Sequence, residues 1–226
     1  MTWPPHPAGG GRPDIAQDLR HRILSLDLLP GASLSRAALG ARYGISSTPL
    51  RDALLRLRDE RLITVHPQSR TTVSLIDIDH ARQIHVLRSS VEAEIAARLA
   101  RQPSPDLIDE LRSLIALQTA EAGSGAIAGF AQLDLAFHHA LFRQTGLEEV
   151  WHVIRRESVH IDRLRALHLM RPEKMQQILD DHRAICAAIA QGAPEAAAQA
   201  MQTHLSQSIL YGQRLTEERP EFFKTA

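Results

Sequence analysis

Apolar residues recur every three or four positions along most of this chain, and Pro and Gly punctuate the rhythm into separate helical segments. From Asp14 to Leu26, Ile15, Leu19, Ile23 and Leu26 share one helical face, and Leu29-Pro30-Gly31 ends the pattern. Ser35 stands where an N-cap is needed for a short helix from Arg36 to Tyr43, which Gly44 closes. Ser46 or Ser47 caps a third helix, with Pro49 in its first turn, where a missing N–H costs nothing. Leu50, Ala53, Leu54 and Leu57 lie on one face of it. The period then shortens. Leu62 to His66 and Thr71 to Leu75 are β-prone runs around Pro67-Gln68-Ser69-Arg70, a hairpin signal. Three helices followed by a hairpin predict a winged helix-turn-helix over residues 13–76.

From Asp77 the helical period returns and persists almost to the end. Six segments are predicted, near 78–100, 105–122, 127–145, 148–169, 173–190 and 194–215. The breaks between them are Pro103 and Pro105, Gly123 to Gly125, Gly146, Pro172, and Gly192 to Pro194. Such short connections force neighbours to run antiparallel. The fold class is therefore mainly α: an N-terminal winged helix-turn-helix, then an all-α antiparallel six-helix bundle over residues 77–216. Residues 1–12, rich in Pro and Gly, are expected to be a disordered arm, and 217–226 a C-terminal tail.

Composition narrows the class. At 226 residues there is material for two modest cores, and the 4% aromatic content with abundant Ala and Leu favours helix. No apolar run approaches the roughly 18 residues needed to span a bilayer. Met1 to Arg12 contain no apolar stretch of the kind a signal peptide carries. The single cysteine, Cys186, excludes an intramolecular disulfide framework and fits a reducing cytoplasm. The net charge of zero hides an asymmetry. Residues 1–75 hold ten Arg against six Asp or Glu, a net of +4, and the remainder sixteen basic against twenty acidic residues, a net of −4. A basic module can dock on phosphates while an acidic remainder stays clear of them.

Candidate chemistry lies in the bundle. Asp134 and His138 are one helical turn apart, about 6 Å of rise, and so share a side of the third bundle helix. Phe130, Leu133, Phe137 and Leu141 surround them with apolar neighbours. His182 sits among Ile178, Leu179 and Ile185 on the fifth segment, and His204 among Ala200, Met201 and Leu205 on the sixth. A carboxylate and three imidazoles suit a borderline divalent metal: zinc first, with nickel or manganese as alternatives. A hydrogen-bonded core cluster is the competing explanation, since a lone His on an apolar face is usually a satisfied core residue. An enzyme is the rival functional class, because an open site of this kind can hydrolyse or oxidise a substrate. Asp181-His182 looks like the His-Asp pair of metal phosphohydrolases in reversed order, and no general base is evident near it.

Two motifs carry a family resemblance. Leu34 to Leu39 and Tyr43-Gly44-Ile45-Ser46-Ser47-Thr48-Pro49-Leu50-Arg51-Asp52-Ala53-Leu54, with the wing Pro67 to Ser74, resemble the GntR-family helix-turn-helix. The bundle resembles the FCD-type ligand-binding domain of the FadR subfamily, in its six-helix, VanR-like group. Together they cover about residues 14–215. The resemblance implies a DNA-binding transcriptional regulator, not an enzyme, acting as a homodimer on a pseudo-palindromic operator. It implies that Asp134, His138, His182 and His204 hold the metal. It also implies that Arg88, spaced as an i,i+4 pair with Glu92, takes a small carboxylate effector, with His85 lining the same pocket. A plain intrahelical salt bridge is the alternative for Arg88, and sensing of the metal itself the alternative for the effector. Ser46, Ser47, Thr48 and Arg51 are the expected DNA contacts at the recognition helix. The chain departs from the family pattern at Ala37 and Ser47, where relatives usually carry Arg, and at Arg70, where they carry Gly. Arg36 and Arg70 are expected to take over part of the lost contact.

Overall fold

The computed structural model describes residues 14–66 and 70–225, so the expected N-terminal arm and the hairpin tip at Pro67, Gln68 and Ser69 lie outside the described residues. The winged unit is built from α1 (Ile15–Leu24), α2 (Arg36–Tyr43), α3 (Ser47–Asp59), β1 (Ile63–Val65) and β2 (Thr71–Val73). Local chemistry sets its helix ends. The carboxylate of Asp14 accepts from the Ala16 N–H at 2.9 Å, and the hydroxyl of Ser35 from the Ala38 N–H at 3.3 Å. Gly44 closes α2 in the left-handed region at φ 59°, a conformation a side chain would strain. Leu19 and Ile23 of α1, Leu39 of α2 and Leu50, Leu54 and Leu57 of α3 bury one another in a single core. β1 and β2 pair antiparallel with Ile63 opposite Val73, and a bridge from Ser33 to Thr72 lays the α1–α2 connection against the hairpin.

The bundle comprises α4 (Ile78–Arg101), α5 (Pro105–Ser124), α6 (Ile127–Gln144), α7 (Glu148–Glu157), α8 (Val159–Leu169), α9 (Pro172–Ala190) and α10 (Pro194–Glu218). α4 packs along α10, α9 lies between α5 and α10, and α6 covers α5. Leu111, Phe130, Phe137, Phe142, Leu179, Ile185 and Met201 form the centre of the core, with Cys186 as a small apolar filler. Gly212 lets α10 close on α8: an added Cβ there would stand 3.0 Å from Leu164.

Two details differ from the periodicity. The segment expected as one helix over 148–169 is interrupted at Ser158. The Ser158 hydroxyl donates to the Ile154 carbonyl at 2.6 Å, while its N–H reaches only the Arg155 carbonyl at 3.3 Å. The ladder tightens there and resumes in α8, where the Asp162 N–H again reaches back four residues to the Ser158 carbonyl at 2.8 Å. A bidentate pair, Arg155 to Asp162 at 2.9 and 2.6 Å, braces the joint. The break coincides with a packing demand: Val159, the first residue of α8, is buried in the core of the winged unit. The second difference is at the end of the chain. The expected tail folds into a 3₁₀ turn over Pro220–Phe222, and Phe222 and Phe223 bury against Ile76. Ile76 donates to the Phe222 carbonyl at 2.8 Å and accepts from the Lys224 N–H at 2.9 Å. Among the described residues no helix is long and apolar enough to cross a membrane.

Candidate metal centre and nucleic-acid interface

The helix-turn-helix presents an uncommitted polar edge. Ser46 occupies the N-cap position of α3, but its side chain makes no capping hydrogen bond. Ser46, Ser47, Thr48, Arg36 and Arg51 are exposed and line one cavity of about 600 Å³ between α2 and α3. Arg51 is held only loosely, 3.8 Å from Asp52, with its side chain 71% exposed. Free hydroxyls and backbone N–H groups at a helix N-terminus, with an arginine one turn on, suit a phosphate backbone and a guanine edge. Arg70 is exposed at the start of the returning wing strand and lines a separate groove with Arg58, Arg61 and His66.

The bundle brings the four predicted donors together. Asp134 and His138 project from α6, His182 from α9 and His204 from α10, and one ligand atom from each lies within 4.8 Å of the others. All four are buried. Each imidazole Nδ1 has an oxygen close beside it. Glu92 Oε2 lies 2.6 Å from Nδ1 of His138, Gln118 Oε1 2.9 Å from that of His182, and Asp181 Oδ2 3.3 Å from that of His204. A carboxylate or amide oxygen can only accept, so the ring proton sits on Nδ1 and the lone pair on Nε2. Phe137 stacks on His182 with ring centroids 3.9 Å apart and fixes its plane.

The Nε2 atoms then face inward. Nε2 of His138 and of His204 are 3.2 Å apart, and Nε2 of His182 is 3.6 Å from Asp134 Oδ1. Two imidazole lone pairs that close, with both ring protons spent on the far side, repel unless a cation stands between them. Asp134 Oδ1 and His182 Nε2 are also buried with no hydrogen-bond partner among the described residues. An orphaned buried polar atom costs about 1–3 kcal/mol. The separations of 3.2 and 3.6 Å bracket the edge of a zinc tetrahedron, about 3.3 Å for bonds near 2.0 Å. By donor type, tautomer and spacing, these residues fit a divalent metal.

Electrostatics agree with neutral imidazole donors. Burial, and then the neighbouring histidines, hold His182 and His204 well below the ordinary histidine range. Burial alone would raise the Glu92 carboxyl, but Arg88 and His138 overcome it and keep it ionised far below its usual value. Arg165 pairs with the Oδ2 side of Asp134, and burial pulls its guanidinium down to about 9. It remains a cation at neutral pH.

Arg88 is not open to a ligand in this arrangement: its Nε donates to Glu92 Oε1 at 2.8 Å and the residue is 3% exposed. It holds Glu92, which in turn holds His138. His85 is half-buried one turn earlier and is not among the four clustered donors. Asp181 is engaged by His204 and by Gln207 at 2.9 Å, so it orients a donor where the reversed His-Asp pair would need it as a ligand. Sequence reasoning missed Gln118, Asp181 and Arg165 as partners of the donors. One trace was visible: Gln118 follows Leu107, Leu111 and Ile115 along the apolar stripe of α5.

Comparison with known proteins gives both halves a relation. Residues 12–73 match the family described as bacterial regulatory proteins, gntR family, and residues 83–207 match the FCD domain. The chain is 34% identical over 214 residues to an HTH-type transcriptional regulator in an unstable DNA locus of Streptomyces ambofaciens, spanning 95% of this chain and 90% of that protein. It is 24% identical over 209 residues to the HTH-type transcriptional repressor RspR of Escherichia coli strain K12, spanning 92% of each. Among solved structures, E. coli McbR has a similar fold, with a TM-score of 0.72 at 21% identity over 88% of this chain and 96% of that one.

Proposed function

The chain belongs to the GntR family of bacterial regulators and carries an FCD domain, and we propose that this DNA-binding transcriptional regulator holds a divalent metal, zinc first, on Asp134, His138, His182 and His204. A small carboxylate metabolite then modulates its grip on the operator. The carrying observation is the facing pair of Nε2 lone pairs on His138 and His204, 3.2 Å apart and buried, with each Nδ1 engaged by an acidic oxygen. When bound, the metal would be held by Asp134, His138, His182 and His204 and would supply a Lewis-acid centre there. The chain's own residues do the rest. Glu92, Gln118 and Asp181 keep the three rings turned inward, Phe137 fixes one of them, and Arg165 neutralises the outer oxygen of Asp134.

On the DNA side, Ser46, Ser47, Thr48 and Arg51 meet the recognition site, with Arg36 and Arg70 adding phosphate contacts. A homodimer on a pseudo-palindromic operator follows from the way such modules read two half-sites, and the cytoplasm is where that operator lies. The test is elemental analysis of the purified chain beside Asp134→Ala and His204→Ala. About one metal per chain, lost in both variants, is expected. A native chain, chelator-stripped, that takes up none of zinc, nickel or manganese would overturn the reading.

One observation favours a second reading, in which the metal alone is the signal. Arg88, the expected carboxylate anchor, is committed to Glu92. In that case DNA affinity responds to metal with no organic ligand added.

A further inference from the structure

The donor cluster and the winged unit meet on one short helix. Arg163 and Arg165 are two residues apart on α8, about 200° around its axis, so they leave it on nearly opposite faces. Arg165 reaches the cluster and pairs with Oδ2 of Asp134, whose Oδ1 faces His182. Arg163 reaches the other way and is fully buried. Its Nη1 donates to the Ser74 carbonyl at 2.6 Å, and its Nη2 to the Ser74 hydroxyl at 3.2 Å and to Nδ1 of His160 at 2.8 Å.

Ser74 is no ordinary loop residue. Its hydroxyl donates to the Arg61 carbonyl at 2.6 Å and its N–H to the Leu62 carbonyl at 2.9 Å, which ties it to the turn directly after α3. His160 Nδ1 accepts a second bond, from the Asp77 N–H at 3.1 Å, where α4 begins. Burial, and then Arg163, lower the His160 imidazole to about 3, so this acceptor stays neutral throughout the physiological range. The joint is therefore held by fixed bonds and is not a pH switch.

We propose that α8 couples the donor cluster to DNA reading, with Arg165 following the carboxylate of Asp134 and Arg163 passing the shift of α8 to the wing base and the C-terminal end of α3. This rests on the metal reading above. The physical reason is that a buried guanidinium separated from its carboxylate is costly. Were Oδ1 of Asp134 taken up in holding a cation, Arg165 would follow Oδ2, and α8 would shift with it because its two arginines are anchored at both faces. Packed interfaces of this kind pass small displacements on as switches between arrangements.

The test uses the chelator-stripped full chain with zinc as the probe. Zinc affinity is read by competition with a chromogenic chelator, and backbone hydrogen exchange is followed over residues 60–77. In the native chain, zinc should change exchange over 71–77 by at least about threefold. Arg163→Met should keep zinc affinity within about threefold of native while residues 71–77 no longer respond. Should Arg163→Met fail to unfold cooperatively, Arg163→Lys, which keeps the charge and loses the fork, carries the same expectation. A zinc response at 71–77 that survives in Arg163→Lys would overturn the coupling. So would a native chain that binds zinc with exchange at 60–77 unchanged, and either result would leave the metal site standing. A native chain that binds no zinc removes the metal reading itself, and the coupling with it.

Discussion

The recognition edge and the donor cluster both carry polar atoms that find no hydrogen-bond partner among the described residues, and they differ in what that costs. At the N-terminus of α3 the free hydroxyl of Ser46 and the guanidinium of Arg51 stand in water, which satisfies them. An exposed uncommitted group carries no penalty, so by itself it says little about a ligand. Inside the bundle, Asp134 Oδ1 and His182 Nε2 are uncommitted where water does not reach. There each missing bond costs about 1–3 kcal/mol, which is the cost a bound cation would offset. The same chemical incompleteness is weak evidence at a surface and strong evidence in a core.

The largest test of that contrast removes a donor. His182→Ala should lower zinc affinity by more than about 100-fold, above the 10–100-fold typical of outer-shell changes, as read by chelator competition. Next come the partners that turn the rings. Gln118→Leu leaves the Nδ1 proton of His182 without its acceptor and should cost about 10–100-fold in zinc affinity with little change in overall fold. A Gln118→Leu chain that binds zinc like the native one would show that the tautomer is set elsewhere.

A smaller effect concerns pH. Burial holds both His160 and His168 down to about 3, while in the unfolded chain they titrate near 6.5. Between those values the unfolded state binds the protons and the folded state does not, so stability is present above about pH 6.5 and falls as pH drops below it. Each group should contribute about 1.4 kcal/mol per pH unit in that window. Urea midpoints from pH 7.5 to 5 in the native chain and in His160→Asn measure it, and the variant should show the shallower slope. Smallest is the surface contact: Arg70→Ala should reduce the log–log salt slope of binding to a duplex selected from a random pool by about one. An unchanged slope takes Arg70 out of the interface.

Legibility in the sequence followed the same division. Helix ends were readable where Pro or Gly marked them, as at Gly44 and Pro194, because those residues act through the local backbone. The four clustered side chains were readable as candidates because Asp134 and His138 share one helix face, His182 and His204 sit in apolar helical stripes, and the family resemblance joined them. Their partners were not. Glu92, Gln118 and Asp181 come from α4, α5 and α9, and which side chain meets which ring depends on the register between helices. The pairing of Arg88 with Glu92 was visible as a spacing, but its burial and its hold on His138 were not. The break at Ser158 carries neither Pro nor Gly; it coincides with Val159 docking in the core of the other unit.

The clasp between Ile76 and the end of the chain sets an order of events during synthesis. Lys224 and Asp77, which meet across it, are separated by 147 residues in sequence. At roughly 5–20 residues per second, a ribosome needs about 7 to 30 s between them. For that interval the connection from the winged unit to α4 has been made without the segment that clasps it.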